Sequence, residues 1–203
     1  MIFNPPRRKI DFLPEIKLDK VNLEVVDEFK LLGVIVKSDL TWKSNTDYIT
    51  KKAYSRLWIL RRLKEFGASQ SDLIEIYKSQ VRSILEFAVP VWASYITKSE
   101  KNKIERVQKC ALAIIQNERY KSYTQALSDT KLEFLEDRRQ DQLLKFARKS
   151  LRHPKFKNWF EINKNIVNTR SQKTKFKKVT GYKKKLEKSP IGYMTEILNN
   201  FNK

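Results

Sequence analysis

Only four glycines and six prolines interrupt the 203 residues of this chain. These two residue types most often end regular secondary structure, so their scarcity predicts long uninterrupted elements. After Trp42, apolar residues recur at intervals of three or four, which places them on one face of a helix. We therefore expect a mainly α-helical chain whose amphipathic helices pack into a bundle.

The boundaries of several helices follow from capping and breaking residues. The first helix ends at Gly67, because glycine is common just past a helix end. Ser69 or Ser71 can cap the second helix, and Pro90 should kink or end it. The third helix is expected to begin at Ser99. Three more helices are predicted over residues 123–127, 135–151 and 190–201.

A different pattern occupies residues 21–37, where apolar residues alternate with polar ones in two short runs. This alternation predicts two β-strands, and Asp27 and Glu28 between them are expected to form the turn of a short N-terminal hairpin. The second run, residues 29–36, is apolar on both faces around Gly33. Other parts of a protein are therefore expected to cover both faces.

The chain is strongly basic, with 43 Lys and Arg residues against 23 Asp and Glu and a formal net charge of +20. A polyanion is the expected partner, and nucleic acid is the first candidate. An anionic membrane surface is the second candidate. Insertion into a membrane is not expected, because the longest apolar runs fall far short of the roughly 20 residues that a spanning helix needs.

Residues 155–188 contain twelve basic and two acidic residues, which is half of the net charge. Such a segment has too few apolar residues to fold alone, so the C-terminal region is predicted to be basic and partly disordered. Within it, Lys183, Lys184 and Lys185 are expected to contact RNA without sequence preference or to act as a nuclear-localisation signal.

No catalytic or metal-binding arrangement is evident in the sequence. His153 is the only histidine and is expected to lie at the end of a helix, where a side chain that can carry positive charge is favourable. Cys110 is the only cysteine, which predicts a small residue at the edge of a core in an intracellular, reducing compartment. Glu133, Glu136 and Asp137 form an acidic cluster, but acids are favoured at the start of a helix.

The first helix carries the candidate nucleic-acid contacts. Six basic residues lie outside its apolar stripe: Lys51, Lys52, Arg56, Arg61, Arg62 and Lys64. They are expected to bind phosphates without sequence choice or to form a solvated helix face. Tyr48, Tyr54 and Trp58 interleave with them and would either stack on bases or form the edge of the core. We expect Trp58 to belong to the core and leave the two tyrosines open.

Several short segments resemble one family when they are taken in order. They are FKLLGV at 29–34, LTW at 40–42, LRRL at 60–63, ILEFAVPVW at 84–92 and IERVQK at 104–109. Their order and spacing resemble the region after the catalytic core of non-LTR retrotransposon (jockey-like) reverse transcriptases. A looser similarity continues through residues 134–139 to residues 153–160.

The resemblance implies a division of the chain into three parts. They are a palm-end remnant with the β-hairpin (1–42), a helical thumb-like domain (43–152) and a basic C-terminal tail with a terminal helix (153–203). It also implies that three residues support the primer end as primer-grip-like positions: Leu32, Gly33 and Val34. Gly33 has an alternative role as a bulge or packing glycine.

In this family, Mg²⁺ is bound by carboxylates that include an Asp-Asp pair, and no such pair occurs in this sequence. We therefore expect the chain to begin inside the palm, to lack the catalytic site and cofactor, and not to be an enzyme. This expectation describes a truncated reverse transcriptase fragment that binds RNA or an RNA–DNA duplex. Two alternatives are a helical interaction protein that self-associates through its hairpin edge, and a translated remnant without function.

Overall fold

The computed structural model describes residues 1, 3, 15–162, 175–179 and 189–201. Its elements are β1 (Lys17–Leu18), β2 (Val21–Asn22), β3 (Glu28–Leu31), β4 (Val34–Lys37), α1 (Lys43–Glu65), α2 (Gln70–Ile76), α3 (Ser83–Leu85), α4 (Val89–Trp92), α5 (Lys98–Gln116), α6 (Tyr123–Thr130), α7 (Leu135–Arg152) and α8 (Pro190–Phe201). A π-helical turn, Tyr77–Arg82, joins α2 to α3. The prediction of a mainly helical chain with a short N-terminal hairpin is confirmed. The predictions for Lys183, Lys184 and Lys185 lie outside the described residues.

The core forms between α1 and the helices that surround it. α1 packs against α5 on one side and against β4, the π-helical turn and α3 on the other. Its buried apolar residues, Ile49, Ala53, Leu57 and Leu60, follow the predicted stripe. α7 packs on α4 and α5, and α8 packs on α4 and α7. The end of the segment predicted as a basic tail is therefore part of the helical core.

The hairpin differs from the prediction in the position of its turn. β3 and β4 are antiparallel, and Leu31 pairs with Val34. Leu32 and Gly33 form the two-residue turn, with φ angles of 48° and 89°. Positive φ at both positions is characteristic of the type I′ turns that favour right-twisted hairpins. The predicted turn at Asp27 and Glu28 is wrong, because residues 29–36 are two strands around Gly33 and not one.

The hairpin is attached to the bundle mainly through β4, and Lys30 of β3 also reaches α1. Val34 is buried, and the Ile35 amide donates to Asn45 Oδ1 of α1 at 3.1 Å. On β3, by contrast, Phe29 and Leu31 are exposed. The expected cover on both faces is therefore not provided by the described part of this chain, because Phe29 and Leu31 remain exposed.

Helix starts and ends agree with the predictions in part. Gly67 follows α1 with φ of 81°, and Ser69 caps α2 by accepting from the Asp72 amide at 3.2 Å. The next helical segment ends at Leu85, before Pro90. Pro90 instead occupies the first turn of α4, where its missing N–H costs nothing.

The start of α5 is a correction to the predicted Ser99 cap. Thr97 Oγ1 accepts from the Glu100 amide at 3.3 Å, and Glu100 Oε2 accepts from the Thr97 amide at 2.6 Å. This reciprocal capping box satisfies two N–H groups that the helix itself leaves unpaired. Ser99 lies inside the first turn.

A buried polar network joins the π-helical turn to the helices after it. Tyr77 donates to Gln108 Oε1, while Gln108 Nε2 donates to the Tyr123 hydroxyl at 2.8 Å and to the Glu133 carbonyl at 2.9 Å. Tyr123 in turn donates to Glu105. Burial raises the pKa of Tyr77 above its usual value, so this phenol stays protonated and keeps donating.

Replacing Gly33 with alanine should destabilise the fold. The new Cβ would lie 3.2 Å from Phe87 Cε1, and the residue would have to keep a φ of +89°. We expect the free energy of unfolding in urea to fall by about 1–2 kcal/mol from the backbone conformation, and by more from the contact.

Gly67→Ala is the matched control, because Gly67 has φ of +81° but nothing within 4 Å of an added Cβ. Gly33→Ala should lower the free energy of unfolding more than Gly67→Ala does. This difference should become smaller when Phe87 is also replaced with leucine. Equal losses at the two glycines would show that the turn does not pack against Phe87.

Candidate nucleic-acid interface

Five of the six predicted basic residues of α1 are exposed: Lys51, Lys52, Arg56, Arg61 and Arg62. They are exposed because the buried stripe of α1 occupies only the face that meets its neighbours. Arg62 pairs with Glu65 at 2.9 Å, and both side chains are well solvated. Such a surface pair contributes little energy, so Arg62 remains available to an anion.

Lys64 has a different environment from the other five. Its ammonium donates to the carbonyl of Ile114 and, at 3.4 Å, to that of Ile115. Both carbonyls belong to the last turn of α5, where the helix leaves them unpaired and where positive charge is favourable. Lys64 therefore stabilises the α1–α5 contact and does not belong to the exposed basic surface.

The three primer-grip-like positions have three different environments. Leu32 projects from the hairpin turn and is 88% exposed, whereas Val34 is buried against the bundle. Gly33 lies against the Phe87 ring. The Trp92 indole holds this region by donating to the Phe87 carbonyl at 2.9 Å. The turn therefore has a fixed position beside α1, with only its tip free.

A groove separates the hairpin from α1 and has a volume of about 370 Å³. Its lining combines polar side chains with apolar ones and includes Lys30, Tyr48, Lys52, Ile84 and Phe87. Two lysines therefore converge on one cleft that an aromatic ring borders. This combination suits an anionic group attached to an apolar or aromatic one.

Lys30 and Tyr48 define the electrostatics of the groove. Lys30 Nζ donates to the Tyr48 hydroxyl at 2.8 Å. This hydrogen bond lowers the pKa of Tyr48, and the positive charges of Lys30 and Lys52 act in the same direction. The sequence prediction missed Lys30, because the hairpin turn that brings it to α1 was assigned incorrectly. It missed Phe87 because the helix was expected to continue toward Pro90 and not to end at Leu85.

The aromatic residues of α1 lie on different sides of the helix. Tyr48 lines the groove, whereas Trp58 is 57% exposed, so its assignment to the core is wrong. Tyr54 is partly exposed and lies next to Cys110 and Arg106 of α5. Burial raises the pKa of Tyr54 most, and the charge of Arg106 opposes that rise.

The residues considered for catalysis have structural contacts. His153 follows α7, stacks on Phe156 with 4.7 Å between ring centroids, and accepts from the Lys155 amide at 3.2 Å. Cys110 is partly buried against the core, as predicted. Glu136, in the first turn of α7, pairs with Lys101 at 2.5 Å.

Across the described ranges, no group of three or more His, Cys, Asp or Glu side chains is arranged to hold a metal ion. Among the same residues, no helix has the length and apolar character needed to cross a membrane.

Compared with protein-family models, with curated proteins and with solved structures, the chain matches none of them. Its resemblance to reverse transcriptases therefore rests on the sequence segments described above.

Lys64→Met tests the structural contact of this lysine. It keeps most of the apolar stem but removes the charge-assisted bonds to the end of α5, so the free energy of unfolding should fall by about 1 kcal/mol. Lys51→Met is the control, and a change within about 0.5 kcal/mol is expected there because Lys51 is exposed. Urea denaturation measures both. Equal effects would mean that the Lys64 contact contributes nothing.

Proposed function

We propose that this chain is the palm-end and thumb part of a non-LTR retrotransposon reverse transcriptase and that it holds RNA or an RNA–DNA duplex without sequence preference. The motifs at residues 29–34, 84–92 and 104–109 support the family. The observation that carries the binding proposal is the groove beside α1, where Lys30 and Lys52 converge next to exposed cations of the helix.

The grouping of these cations favours a backbone-binding role. Lys52 lines the groove, and Arg56 lies one turn further along the same side of α1. Their side chains offer positive charge and N–H donors, which suit phosphate oxygens. Contacts of this kind bind phosphates and give affinity through counterion release.

We expect no polymerase activity from the chain alone. The sequence has no Asp-Asp pair, which the family uses to bind Mg²⁺. Residues Leu32, Gly33 and Val34 would then fix the hairpin turn beside the bound strand. In this role the chain positions nucleic acid and does not copy it.

Binding to an RNA–DNA hybrid should be strongly dependent on salt, with a dissociation constant on the order of micromolar at moderate salt. Lys52→Gln and Arg56→Gln should each weaken binding and lower the slope of log K against log salt by about 1. Lys145→Gln is the control, since it removes the same charge from an exposed position on α7. Fluorescence anisotropy across a salt series measures these slopes.

Equal slopes for Lys52→Gln and Lys145→Gln would contradict a localised site and indicate attraction by net charge alone. Primer extension by the purified chain with Mg²⁺ and deoxynucleotides would contradict the statement that it does not copy nucleic acid.

A second candidate function is pairing with another chain through β3. The sheet is two-stranded, so β3 has an outer edge without a strand partner among the described residues. Phe29 and Leu31 are exposed on that strand. Exposed apolar edges of this kind template β-pairing.

Self-association would give a dimer in gel filtration with light scattering in the absence of nucleic acid. Leu31→Lys should then return the chain to a monomer. A monomeric chain at all tested concentrations would exclude this candidate.

A further inference from the structure

Trp58 is 57% exposed on α1, whereas Trp42 and Trp92 are 5% and 0% exposed in the core. Tryptophan has the largest apolar surface of any side chain, so leaving it in water forgoes a large hydrophobic gain. A single exposed apolar residue is ordinary on a protein surface. Trp58 calls for explanation because of the residues around it.

Trp58 lies in a row of aromatic and basic residues. Tyr54 precedes it by one helical turn, and Lys51 and Arg61 flank the pair at helical spacing on the same face. From the rise of 1.5 Å per residue, the two aromatic positions are about 6 Å apart along the helix. We name Lys51, Tyr54, Trp58, Arg61 and the neighbouring Arg106 of α5 the Trp58 platform.

The α5 edge of the platform adds positive charge. Arg106 is exposed and acts electrostatically on Tyr54. Asp47, the acidic residue at the start of this face, is paired with Lys103 at 2.7 Å. The rings are therefore bordered mainly by cations.

The platform is separate from the groove beside the hairpin. Tyr48 and Lys52 line the groove, whereas Trp58 and Tyr54 do not. Tyr54 instead faces Cys110 and Arg106 on α5. Two adjacent sides of α1 thus present different chemistry, with lysines in a cleft on one side and open aromatic rings between cations on the other.

We infer that the Trp58 platform binds unpaired bases of single-stranded nucleic acid by stacking. Aromatic side chains stack on bases of any sequence, while the flanking cations hold the backbone. Bases inside a duplex are stacked about 3.4 Å apart and are closed to side chains. Two aromatic positions about 6 Å apart on a convex helix therefore suit splayed, unpaired bases.

The charge around the rings favours a polyanion as the partner of this surface. Tyrosine, tryptophan and arginine also occur at the centres of protein interfaces, but lysine is depleted there. Here Lys51, Arg61 and Arg106 surround the rings, which complements a polyanion that carries bases. This inference rests on the proposed nucleic-acid function and assigns the unpaired strand to a different side of α1 from the duplex.

Trp58→Ala in the full chain should weaken binding to oligo(dT) and oligo(U) by roughly 5- to 150-fold, the range seen when a stacking side chain is truncated. Binding to an RNA–DNA hybrid of the same length should change by less than about 2-fold, because phosphate contacts remain. Trp159→Ala is the control, since it removes another partly exposed tryptophan that lies far along the chain, after α7.

Trp58→Phe separates stacking from folding. It should keep most of the single-strand affinity, because a smaller ring still stacks. The quenching of tryptophan fluorescence by oligo(dT) should, however, largely disappear in this variant. Thermal melts of all variants by circular dichroism check that α1 remains folded.

The outcomes distinguish this inference from the proposed function. Loss of single-strand binding alone supports the platform. If Trp58→Ala binds both ligands as tightly as the parent chain does, the platform is refuted. In that case a lower slope of log K against log salt for hybrid binding by Lys52→Gln would still support the groove. Equal weakening of both ligands overturns the single-strand assignment. If neither ligand binds the parent chain, the proposed function itself fails.

Discussion

The packing of the apolar stripe of α1 against α5 determines where both candidate surfaces lie. Ala53 in this stripe is fully buried, and α5 is one of the helices that pack on α1. Because the stripe is narrow, the rest of the helix stays in solvent. β3, the Gly33 turn and α3 line the groove on one side, whereas the α5 side leaves Tyr54 partly and Trp58 largely exposed. One helix therefore presents two kinds of surface.

The position of the hairpin depends on the interrupted helix beneath it. The chain leaves its helical path after Leu85, and Ala88 adopts a left-handed conformation with φ of 52°. Phe87 is thereby turned toward the Gly33 turn, and Trp92 holds its carbonyl. This break in the helix and the hairpin turn fit each other, and Lys30 reaches Tyr48 as a result. The groove is thus a product of contacts between segments far apart in the sequence.

The long helices α1, α5 and α7 were predictable because each one carries a long repeat of apolar residues. The turn of the β3–β4 hairpin was not, since residues 29–36 are almost uniformly apolar and period-two alternation cannot locate a turn within them. The cap of α5 was missed for a related reason. Thr97 and Ser99 are chemically equivalent candidates, and the extended backbone at Thr97 decides between them.

The sequence by itself determined the helical class, the basic character of the outer face of α1 and the absence of an Asp-Asp pair. Only the tertiary structure decided which residues of that face meet solvent. Lys64 is predicted to lie on the exposed basic face but is bound to α5, whereas Trp58 is predicted to lie in the core but is exposed. Helical period fixes the direction in which a side chain points, but burial depends on where the neighbouring helix passes.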